Sequence, residues 1–182
     1  MASTKVVTGK VRFSYAQVFQ AKSYQGGAAK YSVVLLIPKS DKATIKKIKE
    51  AIAQAMEDGV SSKWGGKKPK NLWDPLRDGD EEKADEHPEY AGMYFINAKS
   101  DRKPVIVDRD LNEILDPEEF YSGCWGRASI NFYPYDNTTK GVAAGLNRLQ
   151  KLKDDTRFGG ASGSVEEDFG DGFEDDDEDD DF

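Results

Sequence analysis

The sequence predicts a mainly β protein: a small, partly open barrel of five to six strands with one added α-helix, a large loop insertion and a disordered acidic tail. Three observations lead there. Several stretches alternate apolar and polar residues with period two, as half-buried strands do. One stretch, residues 41–58, carries apolar residues at helical spacing. Glycines mark the bends between strands, and a lone helix suits a barrel whose end it closes better than it suits a sandwich.

In chain order, Lys5 to Phe19 (KVVTGKVRFSYAQVF) places Val7, Gly9, Val11, Phe13 and Tyr15 on one parity and Thr8, Lys10, Arg12 and Ser14 on the other. This reads as one long strand with a basic outer face, and Phe13, Tyr15 and Tyr31 as core. After a break at Gly26-Gly27, Lys30 to Ile37 (KYSVVLLI) is a continuous apolar run ended by Pro38, a central strand able to form a long hairpin with the first. Ile45, Ile48, Ala51, Ile52, Ala55 and Met56 then predict a helix over about residues 41–58, closed by Gly59. Its lysines Lys46, Lys47 and Lys49 read as a solvated face.

Residues 60–90 are broken by glycine and proline and form a large loop on the scaffold, of a length that in compact domains is functional or disordered. Its first half holds Lys63, Trp64, Lys67, Lys68, Lys70 and Trp73, where each indole either staples the loop to the core or offers a ring to a ligand. In its second half Asp78-Gly79-Asp80-Glu81-Glu82 lacks the spacing of a calcium loop and reads as a solvated acidic turn.

Residues 92–98 and 103–108 are two short strands joined by a turn, and Leu111 to Phe120 has room for a helical turn or two. The most informative strand is Gly123 to Tyr135 (GCWGRASINFYPY). Cys124, Gly126, Ala128, Ile130 and Phe132 share one parity, small or apolar as a barrel interior needs; Trp125, Arg127, Ser129, Asn131, Tyr133 and Tyr135 share the other. A merely solvated face rarely carries a tryptophan and two tyrosines. The last strand covers about 141–153, and a glycine-rich linker at 158–164 leads into the tail.

Charge divides the chain. The residues from Gly159 on hold 12 acids and no base, so within the net charge of −8 the body, Met1 to Phe158, carries +4. Residues 1–158 therefore read as one basic domain and 159–182 as linker and tail, too charged to collapse on itself. Neither a secretory leader nor an apolar run near the roughly 18 residues of a membrane span is present, which predicts a soluble, cytoplasmic protein. A single cysteine, Cys124, leaves no internal disulfide, and with the lone His87 argues against a zinc site. No metal and no cofactor are expected. Catalysis lacks a nucleophile elbow, a phosphate-binding glycine loop and a histidine acid–base pair.

An outward face of rings and cations on a barrel suits a single-stranded nucleic acid: each base presents a π-face worth about 1 to 3 kcal/mol when stacked, and lysine or arginine follows the phosphates. The candidates are Trp125, Arg127, Tyr133 and Tyr135 on the strand, Lys10 and Arg12 on its neighbour, and Trp64, Lys67 and Lys68 on the loop. The bland alternative is that the 60–90 loop simply covers that aromatic face.

With a basic barrel, a glycine-rich linker and an acidic end (GGASGSVEEDFGDGFEDDDEDDDF), the chain resembles the phage-encoded single-stranded DNA-binding proteins of replication and recombination. AKYSVVLLIPK, PLRDGDEE, GMYFINAKS and GCWGRASINFYPYDN make the body similar to a branch of that group formerly catalogued as phage proteins of unknown function. The resemblance implies an OB-like fold, sequence-independent coating of single strands, and a tail that recruits replication or recombination proteins. In that scheme Phe169, Phe173, Asp179, Asp180, Asp181 and Phe182 compete for the DNA groove until DNA displaces them. An acidic-tailed interaction protein or DNA mimic that never touches nucleic acid stays open, as does homo-oligomerisation.

Overall fold

The computed structural model describes residues 3–23 and 27–158. In chain order the elements are β1 (Lys5–Val7), β2 (Val11–Lys22), β3 (Lys30–Pro38), α1 (Lys42–Ser62), β4 (Leu72–Trp73), β5 (Arg77–Asp78), α2 (Gly79–Glu82), a 3-10 turn at Pro88–Tyr90, β6 (Met93–Ser100), β7 (Val105–Val107), β8 (Trp125–Asp136) and β9 (Lys140–Lys153). Five of the strands close a ring: β2 pairs β3, β3 pairs β6, β6 pairs β9 in parallel, β9 pairs β8, and β8 returns to β2. The ring is uneven. β8 and β9 pair from Trp125↔Lys153 to Asp136↔Lys140, whereas β2 meets β8 only at Val11↔Gly126 and Arg12↔Trp125, and β6 meets β9 only at Ala98↔Ala144 and Lys99↔Gly145.

The inward parity of β8 is as the pattern predicts, with Cys124, Gly126, Ala128, Ile130 and Phe132 all buried. They pack with Phe13, Val33, Leu35, Ile96 and Leu149 in a core that α1 closes through Ile45, Ile48, Ala51, Ile52 and Ala55. Among the described residues no helix is long and apolar enough to cross a membrane.

The predicted first strand is in fact two. Thr8–Lys10 crosses the start of α1, where Gly9 N–H donates to Thr44 Oγ1 at 2.9 Å and a Cβ on Gly9 would lie 2.6 Å from Asp41 Oδ2. Alternation fails a second time at Tyr15, whose φ of +46° marks a bulge between Ser14↔Val34 and Gln17↔Ser32. Tyr15 is thereby turned out of the core and is 51% exposed, Tyr31 is half-buried, and of the three rings assigned inside only Phe13 is fully buried.

Helix α1 is N-capped by Asp41, whose Oδ1 accepts from Thr44 N–H, but Gly59 does not end it. That glycine is a packing position: a Cβ there would sit 2.7 Å from the Trp64 ring and 2.8 Å from Pro134. The helix runs on to Ser62; Lys63 and Trp64 N–H both donate to Gly59 O at 2.8 Å, and Gly66 N–H donates to Val60 O at 2.8 Å. The predicted helical turns at 111–120 are absent. Asp108 Oδ1 instead accepts from Asp110 and Asn112 N–H, and Glu113 bridges back to Val107. The two short strands at 92–108 do not pair with each other either; β7 lies parallel to β9.

Candidate nucleic-acid interface

The 60–90 segment, read from sequence as a loop, is docked on the barrel by two minimal strands. β4 pairs in parallel with β9 at Leu72↔Lys140 and Trp73↔Gly141, an approach open only to glycine, since a Cβ on Gly141 would be 2.6 Å from Trp73 Cβ. β5 pairs with β6 at Arg77↔Phe95 and Asp78↔Tyr94. Between them the chain forms a wall along the outer face of β6, β8 and β9.

Wall and sheet enclose an open groove of about 600 Å³. Among the described residues its rings are Trp73, Phe95, Tyr133 and Tyr135, its cations Arg77, Lys83 and Lys99, and its one acid Glu82. Trp73 and Tyr133 are 49% and 44% exposed, so two ring faces are available to a flat ligand. Arg77 stacks on Trp73 with its Cζ 4.2 Å from the ring centroid, and its Nε lies 2.8 Å from Glu82 Oε2. The small side chain of Ala143 keeps the floor low, while Ala144, next along β9, turns into the core. A polyanion with aromatic bases fits this lining, which brings rings and cations together and, among the described residues, carries a net positive charge.

The acidic stretch read as a solvated turn is α2 with its N-cap Asp78, and it is not simply solvated. Lys39 Nζ lies 2.8 Å from both Asp78 Oδ1 and Asp80 Oδ2, and Asp80 Oδ1 accepts from Gly92 N–H. Lys39 holds both carboxyls below the usual carboxylate range and is itself raised by them. This clamp fixes β5 and α2, and with them Arg77, Glu82 and Lys83, against the end of β3. Among the described residues no three histidine, cysteine or carboxylate side chains converge as a metal would require.

The nine body residues singled out from sequence are dispersed. Tyr133 and Tyr135 line the groove. Trp64 does not reach it: the ring is 8% exposed, packed on Gly59, and its Nε1–H donates to Tyr135 O at 3.1 Å. The stapling alternative holds for that indole, and the ligand-facing one is open to Trp73. Lys67 and Lys68 are exposed beyond the end of α1, with Lys68 beside Glu50 and Glu57 rather than beside the groove rings. Trp125, Arg12 and Arg127 are at the opposite end of β8. Trp125 Nε1–H donates to Asp155 Oδ2 at 2.8 Å, Arg12 donates to Gly123 O and Thr156 O, and Arg127 Nε–H donates to Thr8 O. Lys10 is exposed in the β1–β2 connection. Phe169, Phe173, Asp179, Asp180, Asp181 and Phe182 lie outside the described residues.

Sequence reasoning misses Arg77, Lys83, Phe95, Asn97 and Lys99, and leaves Trp73 undecided between staple and ligand ring. For Phe95, Asn97 and Lys99 the signal was present, because GMYFINAKS alternates as β8 does, with Ile96 and Ala98 inward. Nothing local marks Trp73 over Trp64.

Comparison with known proteins adds four findings. The family described as Enterobacter phage Enc34, ssDNA-binding protein, matches residues 4–182. Protein p50 of Acyrthosiphon pisum secondary endosymbiont phage 1 is 34% identical over 175 residues, spanning 90% of this chain and 91% of its own. Among solved structures, the single-stranded DNA-binding protein from bacteriophage Enc34 in complex with ssDNA superposes with a TM-score of 0.75 at 30% identity, covering 85% of this chain and 89% of that one. The single-stranded DNA-binding protein of bacteriophage T7 shares the fold, with a TM-score of 0.64 at 17% identity over 86% of this chain and 95% of that one.

Proposed function

Because the chain belongs to the phage single-stranded DNA-binding family represented by Enterobacter phage Enc34, we propose that it coats single-stranded DNA without regard to sequence, as a non-catalytic participant in phage replication or recombination in the cytoplasm. The observation that carries this reading is the groove, which Trp73, Phe95, Tyr133 and Tyr135 line together with Arg77, Lys83 and Lys99. Stacking on rings is indifferent to base identity, and the cations follow the phosphates. Residues 1–158 form the binding body in this reading. The acids and phenylalanines of 159–182 compete for the groove at the millimolar-range effective concentration of a short tether. Once displaced, they recruit replication or recombination proteins, with Phe182 as an apolar handle.

Fluorescence anisotropy with labelled oligo-dT at two salt concentrations tests it. Binding that weakens steeply with salt, is equal for mixed-sequence oligomers, and quenches tryptophan fluorescence is the expected result. Absence of salt-dependent binding would instead favour an acidic-tailed protein or DNA mimic acting on basic partners. Magnesium-dependent loss of the oligomer would point to an enzyme.

A further inference from the structure

The other end of β8 carries a second concentration of rings and cations that the groove does not use. Arg12 Cζ lies 4.3 Å from the Phe158 ring centroid and 5.8 Å from that of Trp125. Lys153 Nζ is 5.4 Å from the Trp125 ring, and Lys151 Nζ and Arg157 Cζ are 5.4 and 4.3 Å from the Tyr121 ring. Over this cluster runs the segment following β9, residues 154–158. Asp154 Oδ1 accepts from Tyr121 Oη–H and from Lys151 Nζ, each at 2.7 Å. Asp155 Oδ2 accepts from the Trp125 indole at 2.8 Å and stands 3.7 Å from Arg12. Residues 154–157 are exposed, and the segment's far end is held by Phe158 N–H donating to Ser122 O. Gly123, at φ +118°, lets it lie close, since a Cβ there would be 2.3 Å from Thr156 O.

We propose that this end of β8 is a second single-strand subsite, occupied in the free protein by its own residues 154–158, whose two carboxylates stand where phosphates would bind. The inference rests on the reading that the chain binds single strands. Both carboxylates meet donors suited to phosphate oxygens: an ammonium, a phenol, an indole N–H and a guanidinium. The indole and phenol rings beside them are suited to bases. Trp125 and Tyr133 share the outward parity of β8 eight residues apart, about 27 Å at the rise of a strand, and exposed Arg127 lies between them. A strand filling the groove can therefore continue along the same face, displacing the segment as it arrives.

The test uses the full chain and two labelled dT oligomers, one of about 4 nucleotides, too short even when extended to span the two ends, and one of about 25 that reaches both. Asp154→Asn with Asp155→Asn removes both carboxylate charges while keeping the shape. The long oligomer should bind about fivefold more tightly, the upper range for losing an exposed ion pair, while the short one is unchanged. Trp125→Phe releases Asp155 but keeps a ring, and should reproduce part of that gain; adding Trp125→Ala to the double variant should abolish it. Asp110→Asn with Asp116→Asn, matched in charge but outside the cluster, should leave both affinities unchanged. Equal gains for both oligomers, a gain that survives Trp125→Ala, or a lowered Tm with no gain would overturn the proposal and leave the segment a structural staple. Failure of the groove itself would appear separately, as loss of short-oligomer binding in the unmodified chain.

Discussion

Three indoles in one chain meet three fates, decided by what packs on each. Trp64 is a staple: it is buried against Gly59, and its indole N–H satisfies the Tyr135 carbonyl. Trp64→Phe should keep most of the packing and lose that hydrogen bond, lowering stability by about 1 kcal/mol. Thermal unfolding should show the loss as a few degrees in Tm, with oligo-dT affinity within about twofold of the parent. Trp73 is half exposed and supports Arg77 from below. Trp73→Ala should leave Tm nearly unchanged yet cost about 1 to 3 kcal/mol of single-strand binding, roughly 5- to 150-fold in Kd. An inverted result, with Trp64→Phe weakening binding and Trp73→Ala neutral, would move the interface off the groove. Trp125 is bonded to Asp155. Sequence could show that each indole was available for a ring contact, but not which backbone would come to lie beside it.

At the scale of elements, the groove wall depends on how β5 and α2 are held. Lys39, at the end of β3, bridges Asp78 and Asp80, and Gly79 sits so close to the Tyr90 and Met93 carbonyls that a Cβ would lie 2.5 and 2.6 Å from them. Asp78 and Asp80 are held below the carboxylate range chiefly by Lys39. Their contribution is therefore present above about pH 4, the unfolded value, and fades as pH falls through the lower folded one. Lys39 is raised by the same hydrogen bonds, so its share is present below about pH 10 and is lost only as pH climbs past the raised value. Lys39→Met should thus lower Tm by a constant margin between about pH 5 and 9, and the margin should shrink below about pH 4. A margin that stays constant down to pH 3 would mean the clamp contributes nothing through charge. The acidic turn was legible as acidic and loop-borne; its partner was not, because Lys39 is about 40 residues away and nothing in its neighbourhood distinguishes it from Lys42 or Lys46.

For the whole molecule, the division of charge is the governing feature. Removing residues 159–182 takes away 12 acids and leaves a body of net +4. The truncated chain should bind oligo-dT more tightly at low salt, with the gain narrowing as salt rises, because both tail and DNA contacts are screened. Equal affinity of the two forms would remove competition by the tail from the mechanism. The sequence by itself determined the barrel, the helix, the inward face of β8 and the separation of a basic body from an acidic end. Those follow from periodicity and charge, which are local or additive and survive being read in one dimension. Tertiary structure alone decided where the ring faces converge. Two-residue strands too short to leave a pattern brought Trp73 and Arg77 to β9 and β6, a bulge at Tyr15 reversed a parity, and residues 154–158 lay down over Arg12 and Trp125. Each depends on contacts between residues distant in the chain, whose energies no local pattern encodes.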